Sequence, residues 1–504
     1  MSDILTTIGI SADQEHLSYL CLVLIFLING LFSKKSFFSF IAIIFIGITA
    51  YKTVNLSETS SILHFSFDLM LLSAIAGIAL LIEKKRFQLL FFPIALISFA
   101  IGHHILVKNF TDDKNEEHNK LDSKGEILVQ FQNQSDLKKW MALNSSNYDI
   151  TYPVFTPDDN SFFLDEYLLV DLTDAQNPMT SLRKIEKDKF VAYAEFNEIL
   201  ELNLPEQNTV FETLKKTSSN DPFKDKQWMA NQFDLDKFHK QLDIKSKNAE
   251  SSLTLIAILD TGVDAGHEDL KENYTSISQR SDSDERGHGT HCAGIAAAVT
   301  GNSIGIASWI PQGLDIKVTS VKVMTGFGVG TQRTIINGII LAADKGADVI
   351  SMSLGGPSSP NKEKAYKEAF DYARSKGCII VVAAGNSNKD AKDYSPANVE
   401  GAITIAAIDS KMKKSEFSND VNSLKMGLAA PGTDIYSTMP KDKYALNSGT
   451  SMAAPFVSGI IGLMKHFKPE LTAQEAYNYL SKTAIKKDGL LIVDPNRLFE
   501  EFLN

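Results

Sequence analysis

One serine in the sequence stands where a nucleophile could be built. Ser451 lies between the turn that contains Gly449 and a long apolar run that predicts a helix. Serine often caps a helix by accepting a backbone N–H, and that role alone would account for it. The free N–H groups and the dipole at a helix start would also stabilise an oxyanion beside the hydroxyl. Ser451 is therefore a cap or a nucleophile, and a base with an orienting acid elsewhere in the chain would favour the nucleophile.

Three more polar residues follow apolar strands or glycine-rich turns. Asp260 ends the apolar run LTLIAILD, where it is either a turn residue or a shielded carboxylate. His288 stands between two glycines at a predicted helix start, whereas His291 should face a different neighbourhood. Asn386 ends VVAAGN, and its amide could cap a turn or donate a hydrogen bond to a developing oxyanion. An acid, a base, a nucleophile and an oxyanion donor are thus all available.

The elements that must bring these residues together are apolar strands alternating with helices. From about residue 220 onward, the runs LTLIAILD, GADVISMS and CIIVVAA are almost wholly apolar. Such runs predict an α/β fold, with a parallel sheet and helices on both faces. Active sites in these sheets collect at the carboxyl ends of the strands. We therefore expect Asp260 and Asn386 at one edge of the sheet.

In chain order these motifs resemble those of the subtilisin-like serine proteases. The resemblance runs from about Asn220 to the C terminus and rests on Asp260, GHGTH, AGN and GTSMAAP. It implies that Ser451 is the nucleophile, that His288 is the general base and that Asp260 orients the imidazole. It also implies an oxyanion hole formed by Asn386 and the backbone N–H of Ser451. The implied reaction is peptide-bond hydrolysis through an acyl-enzyme, without a catalytic cofactor.

The resemblance also predicts where an extended substrate would bind. Two edges of small residues would pair with the substrate backbone, and a pocket would take the side chain before the scissile bond. Because that pocket lacks an acidic cluster, we expect a preference for apolar or aromatic residues over the paired basic residues that kexin-like relatives select. The edges are Ser353, Leu354 and Gly355 on one side and Gly326 and Gly328 on the other, and the pocket is Ala383, Ala384, Gly385 and Tyr394.

The motif HGTHCAG contains a cysteine close to the predicted base. It is similar to the proteinase K branch of the family, in which a free thiol lies beside the catalytic histidine. Cys292 and Cys378 stand in apolar contexts, and Cys21 stands in a predicted membrane span. We therefore expect small buried thiols rather than a disulfide.

A small module precedes the peptidase region. Residues 125–203 alternate strand and helix patterns in the order β-α-β-β-α-β, which predicts a ferredoxin-like α+β unit. Its last strand, VAYAEFNEI, resembles the end of a subtilisin propeptide, which assists folding and inhibits by covering the substrate groove. We expect self-cleavage between Ile199 and Lys226, with a linker at 204–219 and the peptidase domain at 220–504.

Apolar runs dominate the first 107 residues. Four of these runs predict an all-α transmembrane region at 1–107, followed by a charged linker at 108–124. Basic residues favour the cytoplasmic side of a membrane, and they cluster in the SKKS and EKKR loops. The chain would then be a multi-pass membrane protein whose peptidase domain faces outside the cytoplasm.

Charge and composition limit the other functions. The formal net charge of -11 and the lack of a basic cluster after the predicted spans argue against nucleic-acid binding. The expected partners are protein or peptide substrates, the lipid bilayer and the chain's own propeptide, while structural calcium is implied by the family alone. Two alternatives stay open: a membrane-bound pseudoprotease or scaffold that binds without cutting, and a sensor in which the spans have the main role.

Overall fold

The computed structural model of the protein describes eight stretches of the chain. They are residues 125–159, 163–172, 176–203, 205, 211–213, 220–246, 253–358 and 363–503. The predicted spans within 1–107 and the linker at 108–124 lie outside these stretches and stay predictions. Within the described stretches, every helix falls short of the length and apolar character that crossing a membrane requires.

An eight-stranded sheet forms the centre of the peptidase domain. From one edge to the other its strands are β18 (Ile485–Lys487), β19 (Leu490–Ile492), β15 (Gly427–Pro431), β14 (Ala402–Ile408), β12 (Ile379–Ala383), β10 (Val349–Met352), β7 (Thr254–Asp260) and β8 (Ile316–Lys322). Neighbouring strands are parallel except for β18 and β19 at one edge. The predicted parallel sheet is therefore present, and its central strands are buried on both faces, as their continuous apolar sequences require.

Helices cover both faces of this sheet and divide the core into two. One face packs against α5 (His288–Ala297) and α8 (Thr450–Phe467), and the other against α6 (Gln332–Asp344) and α7 (Lys364–Ser375). Side chains alternate along β7, so that Ile256 and Ile258 enter the first core while Ala257 and Leu259 enter the second. The remaining helices of this domain are α3 (Trp228–Gln232), α4 (Leu235–Ser246), α9 (Ala473–Thr483) and α10 (Pro495–Phe502), with short 3-10 turns at Lys224–Lys226, Gln279–Ser281 and Ala391–Asp393.

A four-stranded antiparallel sheet with two helices precedes the peptidase domain. In chain order its elements are β1 (Glu126–Phe131), α1 (Gln134–Asn144), β2 (Asp149–Thr151), a 3-10 turn (Leu164–Glu166), β3 (Tyr167–Asp171), α2 (Pro178–Glu186) and β4 (Val191–Phe196). The strand order is β2-β3-β1-β4, so the β-α-β-β-α-β arrangement expected from the sequence is present. Leu137 and Trp140 of α1 and Ile185 of α2 pack against Ile127 and Val129 of β1, which gives this module a core of its own.

The last strand predicted for the module is interrupted. VAYAEFNEI reads as one strand, but β4 ends inside it and a second strand, β5 (Ile199–Glu201), follows. The two intervening residues serve the start of α6: Asn197 Oδ1 accepts the N–H of Arg333 at 2.8 Å, and the Glu198 carbonyl accepts that of Gln332 at 2.8 Å. The first turn of a helix has N–H groups without intrahelical partners, so these contacts stabilise a bend in the chain between β4 and β5. The chain therefore leaves the module's sheet here.

The strand β5 joins the module to the peptidase domain. It runs antiparallel to β9 (Val329–Thr331), with Leu200 opposite Gly330. The Leu200 side chain is buried in the same apolar core as Phe155 of the module and Leu354 of the peptidase domain. Strand pairing and a shared core thus both hold the module in place.

Two smaller sheets are formed by strands outside the central sheet. A three-stranded sheet has the order β16 (Ile435–Met439), β17 (Lys443–Asn447) and β6 (Glu212–Thr213), and a two-stranded sheet pairs β11 (Gly356–Pro357) with β13 (Tyr394–Ser395). The strand β6 belongs to the predicted linker, and its Glu212 lies opposite Tyr444 of β17. The linker is therefore attached to the peptidase domain well before that domain's first helix.

Candidate active site

A buried carboxylate and an imidazole form the centre of the site. Asp260 ends β7 with no exposed surface, and His288 begins α5 with 2% of its surface exposed. The Nδ1 atom of His288 lies 2.7 Å from Oδ1 and 2.9 Å from Oδ2 of Asp260. A carboxylate at that distance fixes the tautomer that carries the proton on Nδ1. The Nε2 atom is buried and has no hydrogen-bond partner among the described residues, so it is free to accept a proton.

Ser451 is the second residue of α8 and is 4% exposed. Gly449 precedes the helix with φ 154° and ψ 159°, a conformation essentially restricted to glycine, and this sharp turn presents the serine at the helix start. The Ser451 hydroxyl donates to the carbonyl of Ser353 at 3.3 Å, and the Ser353 hydroxyl donates to the carbonyl of Ser451 at 2.8 Å. Ser353, predicted at a substrate edge, thus contacts the candidate nucleophile itself.

Cys292 lies close to Asp260, His288 and Ser451. Its Sγ, the His288 nitrogen and the Asp260 oxygen lie within 4.8 Å of one another, and the thiol donates to the carbonyl of Ser451 at 3.3 Å. Burial raises the pKa of the thiol well above its ordinary value, and the charge of Asp260 adds to that shift. The spacing of these three atoms would suit a metal ion. However, the thiol is protonated and the imidazole is hydrogen-bonded to Asp260, and both features favour proton transfer over metal binding. Cys292 and Cys378 are buried and unbridged, as predicted.

The neighbouring histidine is separated from this chemistry. His291 Nε2 lies 3.1 Å from the carbonyl of Ala445 in β17. Burial lowers its pKa to about 3, so the ring stays neutral. His291 therefore faces a different neighbourhood from His288, as the sequence predicts, and it links α5 to the strand that leads to the serine helix.

Asn386 presents its amide towards a carbonyl group of the module. Its Nδ2 donates to the carbonyl of Asn203 at 2.6 Å. Its Oδ1 accepts the backbone N–H of Thr450 at 2.8 Å and the Thr450 hydroxyl at 2.9 Å. Thr450 thus fixes which end of the amide faces the site, a contribution that the sequence interpretation missed. The signal was a hydroxyl beside the nucleophile in GTS, which reads equally well as a helix cap.

One predicted substrate edge is occupied by β5. Its register extends to Leu202, whose N–H donates to the carbonyl of Gly328 at 2.9 Å. The chain then reaches Asn203, whose carbonyl lies at the amide of Asn386. Gly326, predicted to share this edge, lies beside Glu285 and does not take part in the pairing.

The structure brings together only some of the residues predicted for the other substrate edge and for the pocket. Within the described stretches, no backbone hydrogen bond joins β5 to the segment from Ser353 to Gly355. A Cβ placed on Gly385 would lie 3.4 Å from the Tyr394 ring, so two predicted pocket residues are neighbours. Ala383 and Ala384 are buried beside them, which leaves a small apolar wall.

Two buried carboxyl groups elsewhere could hold a cation. Asp269 accepts hydrogen bonds from the amide of Asn302 at 2.9 Å and the N–H of Ile306 at 2.8 Å, and Asp221 accepts the N–H of Gly301 at 2.9 Å. Burial raises the pKa of Asp269 to about 8, and the charge of Asp221 contributes to the shift. Burial also raises the pKa of Asp221, and the charge of Lys224, whose ion pair is with Asp236, partly offsets that shift. Buried carboxylates are a ligand type that hard cations such as Ca²⁺ take.

A serine, an imidazole held by a buried carboxylate and an amide donor at the carboxyl edge of a parallel sheet define a serine hydrolase, which transfers acyl groups through a serine ester. Comparison with known proteins gives the family. The chain belongs to the subtilase family, a peptidase family whose model matches residues 251–500. It is a subtilisin-like serine endopeptidase.

Three known proteins show how far the similarity extends. Thermitase from Thermoactinomyces vulgaris is 45% identical over 221 residues, which cover 43% of this chain and 76% of thermitase. Subtilisin DY from Bacillus licheniformis is 36% identical over 247 residues, which cover 48% of this chain and 87% of that protein. A solved structure described as proteases from Pseudoalteromonas arctica is 29% identical, with a TM-score of 0.48. The match covers 57% of this chain and 100% of the chain in that structure. The family match begins at residue 251, so it does not include the module.

We expect a mercurial that reaches Cys292 to inhibit the enzyme. A mercury atom on this thiol would displace His288 or Ser451, and a displacement of ~1 Å can cost about 10²-fold in rate. Peptidase activity would be measured against labelling stoichiometry from intact mass. Cys292→Ala should be insensitive and Cys378→Ala should stay sensitive. Full activity after confirmed labelling of Cys292 would contradict this expectation.

Proposed function

We propose that this chain is the precursor of a membrane-anchored serine endopeptidase that acts outside the cytoplasm and is inhibited by its own module, residues 125–203. One observation carries the proposal: the Asn203 carbonyl accepts a hydrogen bond from Asn386 Nδ2 at 2.6 Å. An oxyanion donor at that distance is positioned for the carbonyl of a bond about to be cut. The scissile bond of the precursor would then join Asn203 to Leu204.

The residues of the site account for each step of this cut. Ser451 Oγ attacks the Asn203 carbonyl carbon while His288 Nε2 takes the hydroxyl proton, and the resulting oxyanion is stabilised by Asn386. When the C–N bond breaks, the imidazolium returns that proton to the departing amine of Leu204. A water then attacks the ester by the same route, which leaves a carboxylate on Asn203 and restores Ser451. Asp260 holds the imidazole and balances its positive charge throughout.

The same contacts explain inhibition. The strand β5 covers the β9 edge that an extended substrate would use, and Leu200 is buried in the core shared with the peptidase domain. A free substrate must displace both the strand and this side chain. We infer that substrates bind as an antiparallel strand, with an apolar residue at the Leu200 position.

Membrane anchoring rests on the sequence. The four apolar runs within 1–107 would anchor the precursor, with the basic loops in the cytoplasm. A cut after Asn203 would separate the peptidase domain from these spans unless the module stays docked. Retention of the module therefore decides whether the enzyme remains at the membrane or is released.

We also propose that Asp221 and Asp269 hold a structural Ca²⁺. Ca²⁺ takes oxygen ligands and would offset two buried negative charges that otherwise destabilise the fold. Asn302 lies in the same loop, where its Nδ2 donates to Asp269 at 2.9 Å and its Oδ1 accepts the N–H of Ile304 at 2.8 Å. The ion would stabilise the peptidase domain and take no part in the reaction.

A buried carboxyl group at the junction should make docking of the module depend on pH. Glu195 of β4 is 3% exposed and accepts hydrogen bonds from the hydroxyl of Tyr193 at 3.0 Å and the amide of Gln332 at 3.2 Å. Burial raises its pKa from an ordinary value of 4.5 to about 8, and the charge of Glu198 adds a smaller upward shift. Because docking raises this pKa, docking takes up a proton and is favoured at low pH.

The first test compares the wild-type chain with Ser451→Ala, both made in membranes. Intact mass and N-terminal analysis should find a cut between Asn203 and Leu204 in the wild type only, because only the wild type has the nucleophile. Ser458→Ala, a buried serine on the same helix, serves as the matched control and should still be cut. If no variant is cut and the wild type also fails on a denatured protein, the scaffold alternative gains support.

The second test concerns Ca²⁺. Added Ca²⁺ should raise the thermal unfolding midpoint of Ser451→Ala, which avoids self-digestion, because an ion at 100 times its Kd stabilises the fold by about 2.7 kcal/mol. Asp269→Asn should lose most of this response, whereas Asp409→Asn, at an exposed turn, should keep it. An equal response in Asp269→Asn would exclude this site.

The third test measures dissociation of the cut module between pH 4 and 9. At a pH below its ordinary pKa, Glu195 contributes its full stabilisation of the docked module. Above that pKa, the dissociation constant of the module should rise by up to about tenfold per pH unit, until the contribution of Glu195 is lost near pH 8. Size-exclusion chromatography and the recovery of peptidase activity would follow dissociation. Glu195→Gln should flatten the pH profile, and Glu186→Gln, at an exposed position of α2, should leave it unchanged. A profile that Glu195→Gln leaves intact would assign the pH dependence to other groups.

A further inference from the structure

Asn419 contacts the backbone on both sides of Asn386. Its side chain has no exposed surface. The Nδ2 atom donates to the carbonyl of Ala384 at 2.8 Å. The Oδ1 atom accepts the N–H of Ser387 at 3.1 Å and that of Lys389 at 2.9 Å. One side chain therefore uses its donor on the residues before Asn386 and its acceptor on those after it.

Gly385 makes this contact possible. It has φ +98°, and a Cβ added there would lie only 2.5 Å from Asn419 Nδ2. The backbone N–H of Asn419 also donates to the carbonyl of Gly385 at 2.9 Å. The space that a side chain at 385 would occupy is thus filled by the Asn419 amide, which fixes the turn immediately before Asn386.

The support for Asn419 is itself rigid. The preceding residue, Ser418, accepts the N–H of Ala407 through its hydroxyl at 2.9 Å, and Ala407 belongs to the central strand β14. On the other side, Thr450 holds Asn386 Oδ1 from the start of the serine helix. The donor amide is therefore held between the sheet and the helix that carries the nucleophile.

We infer that Asn419 is a positioning residue for the oxyanion donor: it holds the segment from Ala384 to Lys389 so that Asn386 Nδ2 faces the reacting carbonyl. The inference rests on the proposed role of Asn386. Among the described residues, no hydrogen bond joins Asn419 to Asn203, so its effect on the reaction passes through Asn386, Ser387 and the pocket wall formed by Ala384 and Gly385. Small misplacements of a catalytic group cost rate even when the group itself is intact.

The decisive experiment is a double-mutant cycle on the processed enzyme, assayed with a peptide substrate and normalised by active-site titration. Asn386→Ala should lower kcat by about 10²- to 10³-fold. Asn419→Ala should lower kcat by about 10- to 10²-fold. The double variant should be no more than about threefold slower than Asn386→Ala, because a positioning residue has little to contribute once its target is gone.

A second variant separates positioning from loss of folding. Asn419→Asp keeps both accepted hydrogen bonds but removes the donor to the Ala384 carbonyl, so protein that thermal unfolding shows to be folded should still lose rate. The rate of self-cleavage, in which substrate binding is intramolecular, should fall in parallel with kcat. Asn422→Ala, at an exposed position in the same loop, should match the wild type. Thermal unfolding of each variant monitors the fold.

The outcomes distinguish the inference from the function on which it rests. Losses that multiply in the double variant, or an Asn419→Asp that folds with an unchanged kcat, would overturn the positioning role. If Asn386→Ala is itself as fast as the wild type, the proposed oxyanion role fails first. A loss in Asn419→Ala that appears only in KM would assign Asn419 to the pocket wall alone.

Discussion

A carboxylate with no exposed surface is the constraint on which the site depends. Asp260 ends the central strand β7, and removing such a charge from water is costly unless strong partners replace the water. The N–H of Thr261 at 2.7 Å and the imidazole of His288 supply those partners. The helix α5 must therefore begin where it does, and Cys292 of this helix donates to the carbonyl of Ser451 in the adjacent helix α8. The stability of the fold and the alignment of the reacting groups rest on the same contact.

Backbone pairing gives one surface two uses. Without β5, the edge at β9 would offer N–H and C=O groups that another extended chain can satisfy, whatever its side chains. The module supplies such a chain through β5, and a substrate would supply another. Selectivity must then come from the few side chains that enter the core, as Leu200 does, and from the short stretch that delivers a carbonyl to Asn386.

Motifs identified the candidate reacting residues more readily than the residues that support them. Asp260 and His288 end or begin an element, Ser451 is the second residue of α8 and Asn386 follows β12, so their spacing was visible in the sequence. The break between β4 and β5 was not, because it depends on the unpaired first turn of α6, far along the chain. Asn419 likewise became meaningful only through contacts with a strand end more than thirty residues earlier. The acidic pair was missed for the same reason: Asp221 and Asp269 are distant in sequence and meet only at the loop after α5.

The pairing of β6 with β17 bears on the reversibility of self-cleavage. Glu212 is held against Tyr444 and Phe211 lies under the ammonium group of Lys443, while β5 holds the other side of the bond. Eight residues, 204 to 211, separate Asn203 from Glu212, a reach of at most about 30 Å. A cut would thus leave the new amine tethered near the serine at about millimolar effective concentration. Resynthesis of the bond would compete with hydrolysis until the module departs, so module release, more than chemistry, would make maturation irreversible.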